Sequence, residues 1–365
     1  MKARRAVVAG FYPPPFAGEP VHVKQLVEVL RDRGLLVEVL NLNRHARPSA
    51  EYHSSTGRWG LLWKLFSLAD RSSILHLHTN GHSRKSWLLI LIGSLAVRLR
   101  GTVAIVTLHS GLLPGYVDRF GKIRRAVAGW ILRAFERVVC VNGEIRRAVG
   151  HLGVSGEDVV VIPAFLGVVP RTELAPADRA LIRDFRPLLV AIAGGEQEPE
   201  RGLAVLLQAL KQLVASFPNV GAVLLGWQVG PKTRPLIAEL GLARYAVCPG
   251  EVSHDRCLAF LRSADVFVRS TFVDGDAITV REALAFAVPV VASDTAFRPE
   301  GVTLFRKGDA VDLAVKLTQV LTTSGGAARG PRMPADPPAM DLWQIYSMLG
   351  IATPGTTRGA ETTSR

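Results

Sequence analysis

Short apolar runs recur along the chain, and each is followed by a stretch whose apolar residues return at three- and four-residue intervals. The run RAVVAGFY (Arg5–Tyr12) precedes PVHVKQLVEVLRDRG, an amphipathic helix that Gly34 ends. LVEVLNL follows as a strand. SILHLHT (Ser73–Thr79) and TVAIVTLHS (Thr102–Ser110) bracket the apolar stretch WLLILIGSLAV (Trp87–Val97). Bilayer spanning takes about 20 apolar residues, so this stretch reads as a buried helix. RVVCVN (Arg137–Asn142) and DVVVIPAF (Asp158–Phe165) close the series.

The alternation then restarts. PLLVAIAGG, VGAVLLGW, YAVCPG, DVFVRST and PVVAS read as strands. GLAVLLQALKQLVASFP, KTRPLIAELG, HDRCLAFLRSA and the stretch ending at Glu282 read as the helices between them. Strands alternating with helices predict parallel sheets covered on both faces. The fold class is therefore α/β, with two Rossmann-like doubly wound domains facing a cleft at the carboxyl ends of their strands. A length of 365 residues also favours two cores over one. The expected division is 1–168 and 169–325, a low-complexity linker at 326–339, a short amphipathic helix at 340–350 and a disordered tail at 351–365.

Charge changes this picture only in the first half. Residues 1–165 carry 23 Lys and Arg against 11 Asp and Glu; the remainder is nearly balanced, 21 against 20. The first half thus faces an anionic substrate or surface. DRFGKIRRAVAGWILRAFERVV (Asp118–Val139) reads as a basic amphipathic helix suited to an anionic membrane surface, or as a domain-face helix with solvated arginines. A nucleic-acid-binding motif is lacking, and no nucleic acid partner is expected. Cys140, Cys248 and Cys257 lack metal-ligand spacing, which fits a reduced cytoplasmic protein, peripheral on the inner membrane face.

Candidate chemistry concentrates in FVDGDAITVREALAFAVPVVAS (Phe272–Ser293). Asp274 and Asp276 alone suggest a divalent-metal pair. Asp274 with Glu282 suggests instead a carboxylate clamp on a sugar nucleotide, with Gly275 allowing close backbone approach and Ala277, Ile278 and Thr279 offering helix N-terminal amides. His109 ends a strand, where a cleft residue belongs. His76 and His78 share a strand face without a further ligand nearby in sequence.

In order, AGEPVHVKQLVEVLRDRG, TLHS, RGLAVLLQAL, CPGEVS and DGDAITVREALAFAVPVVAS resemble the family-four retaining glycosyltransferases of GT-B fold, over roughly Arg5–Leu321. The last segment matches that family's E-x7-E signature with Asp274 in place of the first Glu. The resemblance implies a nucleotide-sugar in the second half and an acceptor, saccharide or lipid-linked, in the first. It implies that Glu282 holds the ribose, Asp274 a sugar hydroxyl, and Arg201 the diphosphate. Gly250, Glu251 and Val252 would hold the base, Gly18 would let amides approach the phosphates, and His109 would sit near the transferred sugar. No metal or other cofactor is expected, the nucleotide-sugar being a substrate. The setting implied is bacterial surface-polysaccharide synthesis. Glu196 stands where the family carries Arg, Ala164 where it often has Asn, and Ala287 where it often has Gly. A nucleotide-sugar epimerase, a non-catalytic glycosyltransferase-like partner and a basic nucleic-acid binder stand as alternatives.

Overall fold

The computed structural model describes residues 5–43, 45–54, 57–154, 156–164, 172–192, 202–226, 233–295, 297–323 and 339–349. The first half runs β1 (Arg5–Gly10), α1 (Gly18–Asp32), β2 (Leu36–Asn41), β3 (His53–Ser54), α2 (Gly57–Leu68), β4 (Ser73–Thr79), α3 (Arg84–Arg100), β5 (Val103–Leu108), α4 (Leu113–Asp118), α5 (Lys122–Leu132), β6 (Arg137–Cys140), α6 (Gly143–Gly150) and β7 (Val159–Val161). Its seven strands form one sheet in the order β3-β2-β1-β4-β5-β6-β7, each pair parallel. β4 is buried at every residue, as expected of a central strand covered on both faces.

The second half runs α7 (Pro176–Ile182), β8 (Leu188–Ile192), α8 (Leu203–Leu213), β9 (Gly221–Leu225), α9 (Arg234–Glu239), β10 (Ala246–Gly250), α10 (His254–Ser263), β11 (Val266–Arg269), α11 (Ile278–Ala285), β12 (Val290–Ser293), β13 (Val302–Phe305) and α12 (Ala310–Thr323). Its parallel sheet has the order β10-β9-β8-β11-β12-β13. Strand order reverses beside β1 and β4 in one sheet and beside β8 and β11 in the other. Such switch points leave a crevice at the carboxyl ends of the strands.

Apolar clusters cover both faces of each sheet. Helix α13 (Ala339–Met348) follows the second half in sequence but packs on the first. Its Leu342, Ile345 and Tyr346 join Val8, Leu26 and Leu30 in one cluster. Ile278 and Ala285 of α11 likewise pack into a first-half cluster, which ties the two halves together.

One helix expectation needs correcting. The segment Asp118–Val139 is not a single helix: α4 ends at Asp118, α5 spans Lys122–Leu132, and Arg137–Cys140 is strand β6. The strand expected over Arg137–Asn142 is present instead: Val138 and Val139 pair with both β5 and β7, and sheet pairing overrides the helical periodicity there. The expected linker, Ala339 apart, and the expected tail lie outside the described residues.

Candidate active site

A cavity of about 330 Å³ lies between the carboxyl ends of the two sheets. Gly18, His109, Glu251, Val252, Asp274, Gly275, Asp276, Ala277, Ile278, Thr279 and Glu282 all line it. Gly250 ends β10 beside it with a left-handed backbone but is not in the lining. Arg201 and Glu196 lie outside the described residues. Larger depressions of about 780 and 690 Å³ sit elsewhere, the first beside α8 and the start of α12, the second beside α7. Neither shares a residue with the cleft, and the second, which reaches Leu188 and Asp265, lies at the amino ends of β8 and β11, opposite the carboxyl ends that form the cleft.

Two helix N-termini point into this cavity. Ala17 precedes α1 and Ala277 precedes α11, and neither offers a capping side chain. Ser83, Asn142 and Ser253 accept from the first-turn amides of α3, α6 and α10, whereas α4, α5, α7, α8 and α9 also lack a side-chain cap, so it is the position at the cavity that sets α1 and α11 apart. Uncapped first-turn N–H groups and the positive end of the helix dipole together suit an anion.

Glu282 sits in the second turn of α11 and is fully buried. Its Oε1 accepts from Nε2 of His254 at 2.6 Å, while its Oε2 has no hydrogen-bond partner among the described residues. Burial disfavours a charged His254, but the hydrogen bond and charge of Glu282 outweigh this and raise its pKa. An unpartnered buried carboxylate oxygen is costly, and this one is in the cleft wall.

Asp274, which the resemblance assigns to a sugar hydroxyl, is engaged by side chains of its own half. Its carboxylate is held by Arg269 through Nη2 at 2.5 Å and Nε at 3.1 Å, by Arg298 Nη1 at 2.7 Å, and by the Thr271 hydroxyl. Burial alone would raise its pKa; the two guanidiniums and the hydroxyl hold it far below the usual carboxylate range. One carboxylate thus fixes two cations, of which Arg269 also lines the cavity. Sequence reasoning missed both. Arg269 carried a signal, since it ends the apolar strand VFVR at the carboxyl side; Arg298, in a loop, carried none.

Asp276 is equally committed. It accepts from Arg281 Nε at 2.9 Å and from the backbone N–H of Ala164 at 2.8 Å. Ala164 belongs to the first half, as does Asn142, whose Nδ2 donates to the Gly275 carbonyl at 2.6 Å. A Cβ on Gly275 would collide with the carbonyl of His109, and one on Gly111 with the carbonyl of Asp274. The two glycines let the loops of the two halves touch backbone to backbone.

Three buried histidines, His22, His76 and His78, and the half-buried His109 back this junction. His76 bridges Tyr346 of α13, Nδ1 to the hydroxyl at 2.7 Å, and Thr107, Nε2 to Oγ1 at 2.7 Å. His78 Nδ1 lies 3.1 Å from His109 Nε2. His22, on α1, places Nδ1 3.0 Å from the Ala164 carbonyl. Burial lowers every one of these pKa values, His22 to about 4 and His76 to about 3, so the rings are neutral at pH 7.

Glu19, in the first turn of α1, also lines the cavity. The residue is partly exposed, yet its Oε1 is buried without a partner, and desolvation raises its pKa to about 7. Sequence reading did not single it out.

The profile of the family described as Glycosyltransferase Family 4 matches residues 17–166, and that of Glycosyl transferases group 1 matches residues 186–323. The chain is 28% identical over 331 residues to a phosphatidyl-myo-inositol mannosyltransferase of Mycobacterium leprae, covering 83% of each chain. Among solved structures it resembles a sucrose-phosphate synthase of Thermosynechococcus elongatus, with TM-score 0.70 at 17% identity over 95% of this chain and 99% of that one. It also resembles Anabaena HepE in complex with UDP, with TM-score 0.64 at 16% identity over 95% and 96% of the two chains. With both halves matched by their profiles and the double parallel-sheet architecture shared with these structures, the chain belongs to the family-four, group 1 glycosyltransferases of GT-B fold.

Proposed function

We propose that the protein transfers a sugar, with retention of configuration, from a nucleotide-diphospho-sugar to a lipid-linked or saccharide acceptor at the inner face of a bacterial membrane. The observation that carries this reading is the buried, partnerless Oε2 of Glu282 in a cavity entered by two uncapped helix N-termini. A ribose hydroxyl donates to that oxygen. The diphosphate lies against the amides of α1 and α11, with Arg269 beside it; Arg201, from the family resemblance, adds a further cation. Stabilising the leaving diphosphate is the main catalytic task, because charge develops there in the transition state. Asp274 does not reach for the sugar in this reading. It orients Arg269 and Arg298.

The mycobacterial relative's name supports a mannosyl donor and a lipid acceptor. Retention rests on the family resemblance. No helix among the described residues is long and apolar enough to cross a membrane. Contact with the membrane is assigned instead to α5. Ile123, Val127 and Trp130 share one helix face and are 81, 50 and 46% exposed, with Lys122, Arg124 and Arg125 beside them. Exposed apolar residues among cations match an anionic interface.

The test is a binding panel of UDP, GDP and ADP and their hexose conjugates, read by thermal shift and calorimetry. One nucleotide class is expected to bind and stabilise the protein. If none does, the donor site is wrongly placed.

A further inference from the structure

The family resemblance places His109 near the transferred sugar, and His22 and His78 have no part in the mechanism above. These three come from α1, β4 and the end of β5, and each offers a ring nitrogen within 4.8 Å of the others. Their ring centres form a nearly equilateral triangle, with sides of 5.4 Å (His22–His78), 5.2 Å (His22–His109) and 5.4 Å (His78–His109). Three imidazoles on one tetrahedral cation, with metal–nitrogen bonds of about 2.0–2.1 Å, place their ring centres about 5.2 Å apart and their nitrogens about 3.4 Å apart. The observed triangle matches that spacing. The nearest nitrogens, His78 Nδ1 and His109 Nε2, are already 3.1 Å apart.

Two further features fit a metal. The Nδ1 of His22 faces the Ala164 carbonyl at 3.0 Å, which leaves Nε2 with the lone pair and supplies the outer hydrogen bond that orients a metal-bound imidazole. His109 lines the cleft, so a fourth coordination position opens towards the cavity. The nearby carboxylates Asp274 and Asp276 are already held by guanidiniums. The donors left for the cation are all imidazole, which favours zinc-class ions over magnesium or calcium.

We propose that His22, His78 and His109 form a site for a divalent transition-metal cation of the zinc class, open to the cleft at its fourth position. Occupancy takes the His109 lone pair and inhibits sugar transfer. The inhibition rests on the transferase reading; the binding does not.

The full-length protein is titrated with Co²⁺ and followed by visible absorption, then with Zn²⁺ in competition with a chromophoric chelator. The expected result is one equivalent of Co²⁺ with the intense ligand-field bands of a tetrahedral site, displaced by Zn²⁺. His22→Gln and His78→Gln are each expected to weaken Zn²⁺ binding at least about 100-fold, since even outer partners of a metal site cost 10–100-fold. His151→Gln, an exposed residue outside the cluster, leaves it unchanged. Circular dichroism checks each fold, and His109→Ala, at the cavity wall, replaces any variant that fails to fold. Only weak octahedral Co²⁺ absorption, or equal Zn²⁺ affinity in wild type and the folded cluster variants, overturns the proposal and leaves a hydrogen-bonded histidine pair. Loss of transfer at stoichiometric Zn²⁺, restored by chelator, is expected with whichever donor the panel identifies. Tetrahedral binding without inhibition keeps the metal site and overturns the role given to His109.

Discussion

Replacing Glu282 by Gln changes charge with almost no change in shape, and the structure sets the size of the effect. One carboxylate oxygen is taken by His254 at 2.6 Å, and the other is vacant. Only one charge-assisted bond to the nucleotide is therefore available to lose. Hydrogen bonds to charged groups contribute about 1.5–3 kcal/mol, so Kd is expected to rise about 10- to 150-fold. A ligand at 100 times the wild-type Kd stabilises wild type by about 2.7 kcal/mol; a variant bound tenfold more weakly gains about 1.4 kcal/mol and one bound 100-fold more weakly about 0.4 kcal/mol. In the free protein the substitution weakens the 2.6 Å bond to His254 and relieves the cost of a buried, unpartnered charged oxygen, two effects of opposite sign, so the free variant is expected to stay folded. His254 is expected to lose the charge that raises its pKa, which NMR titration of its imidazole detects. Calorimetry with the nucleotide from the panel gives Kd directly. Equal Kd values for wild type and Glu282→Gln refute the assignment of Glu282 to the ribose.

Gly275→Ala drives a methyl group into the His109 carbonyl, so the two halves must separate locally. Overpacking of this kind costs about 1–3 kcal/mol, and transfer is expected to fall at least about tenfold, measured by kcat and Tm. The Glu19 carboxyl binds its proton more tightly folded than unfolded, with a pKa of about 7 against 4.5. Between those values the folded state holds more protons, so stability falls as pH rises from about 4.5 to about 7 and then levels. The size is at most about 3 kcal/mol at about 1.4 kcal/mol per pH unit; Glu19→Gln is expected to remove this slope from denaturation curves taken across that range. Replacing Ile123, Val127 and Trp130 together by Ser is expected to weaken sedimentation with anionic vesicles at least about tenfold, since each apolar side chain carries about 1 kcal/mol or more. Nucleotide affinity is expected to stay unchanged in that variant, and equal vesicle binding removes α5 from the membrane contact.

Legibility from sequence followed the range of the forces involved. Period-two and period-3.6 patterns are local, so the strand SILHLHT was located at its observed bounds and the alternation of two sheets was evident. β6 was located as the strand RVVCVN, but the helical periodicity of Asp118–Val139 ran on over Val138 and Val139, where only pairing with β5 and β7 decides the conformation. The two-residue β3 and the edge strand β13 lie below any useful window. His109 and Glu282 were found because strand ends and helix starts can be read along the chain. The partners of Asp274 were not, because Arg298 reaches it from a loop 24 residues away. His22 was not singled out from sequence at all. Only the adjacency of β1, β4 and β5 brings it to His78 and His109.

The most direct measurement of the proposed reaction is product analysis. The protein is incubated with the nucleotide-sugar selected by the panel and with a bacterial lipid fraction, and the product's anomeric linkage is determined by NMR. The expected result is a glycosylated lipid or saccharide that keeps the donor's anomeric configuration. Conversion of the donor to a sugar epimer without acceptor, or a product of inverted configuration, contradicts it.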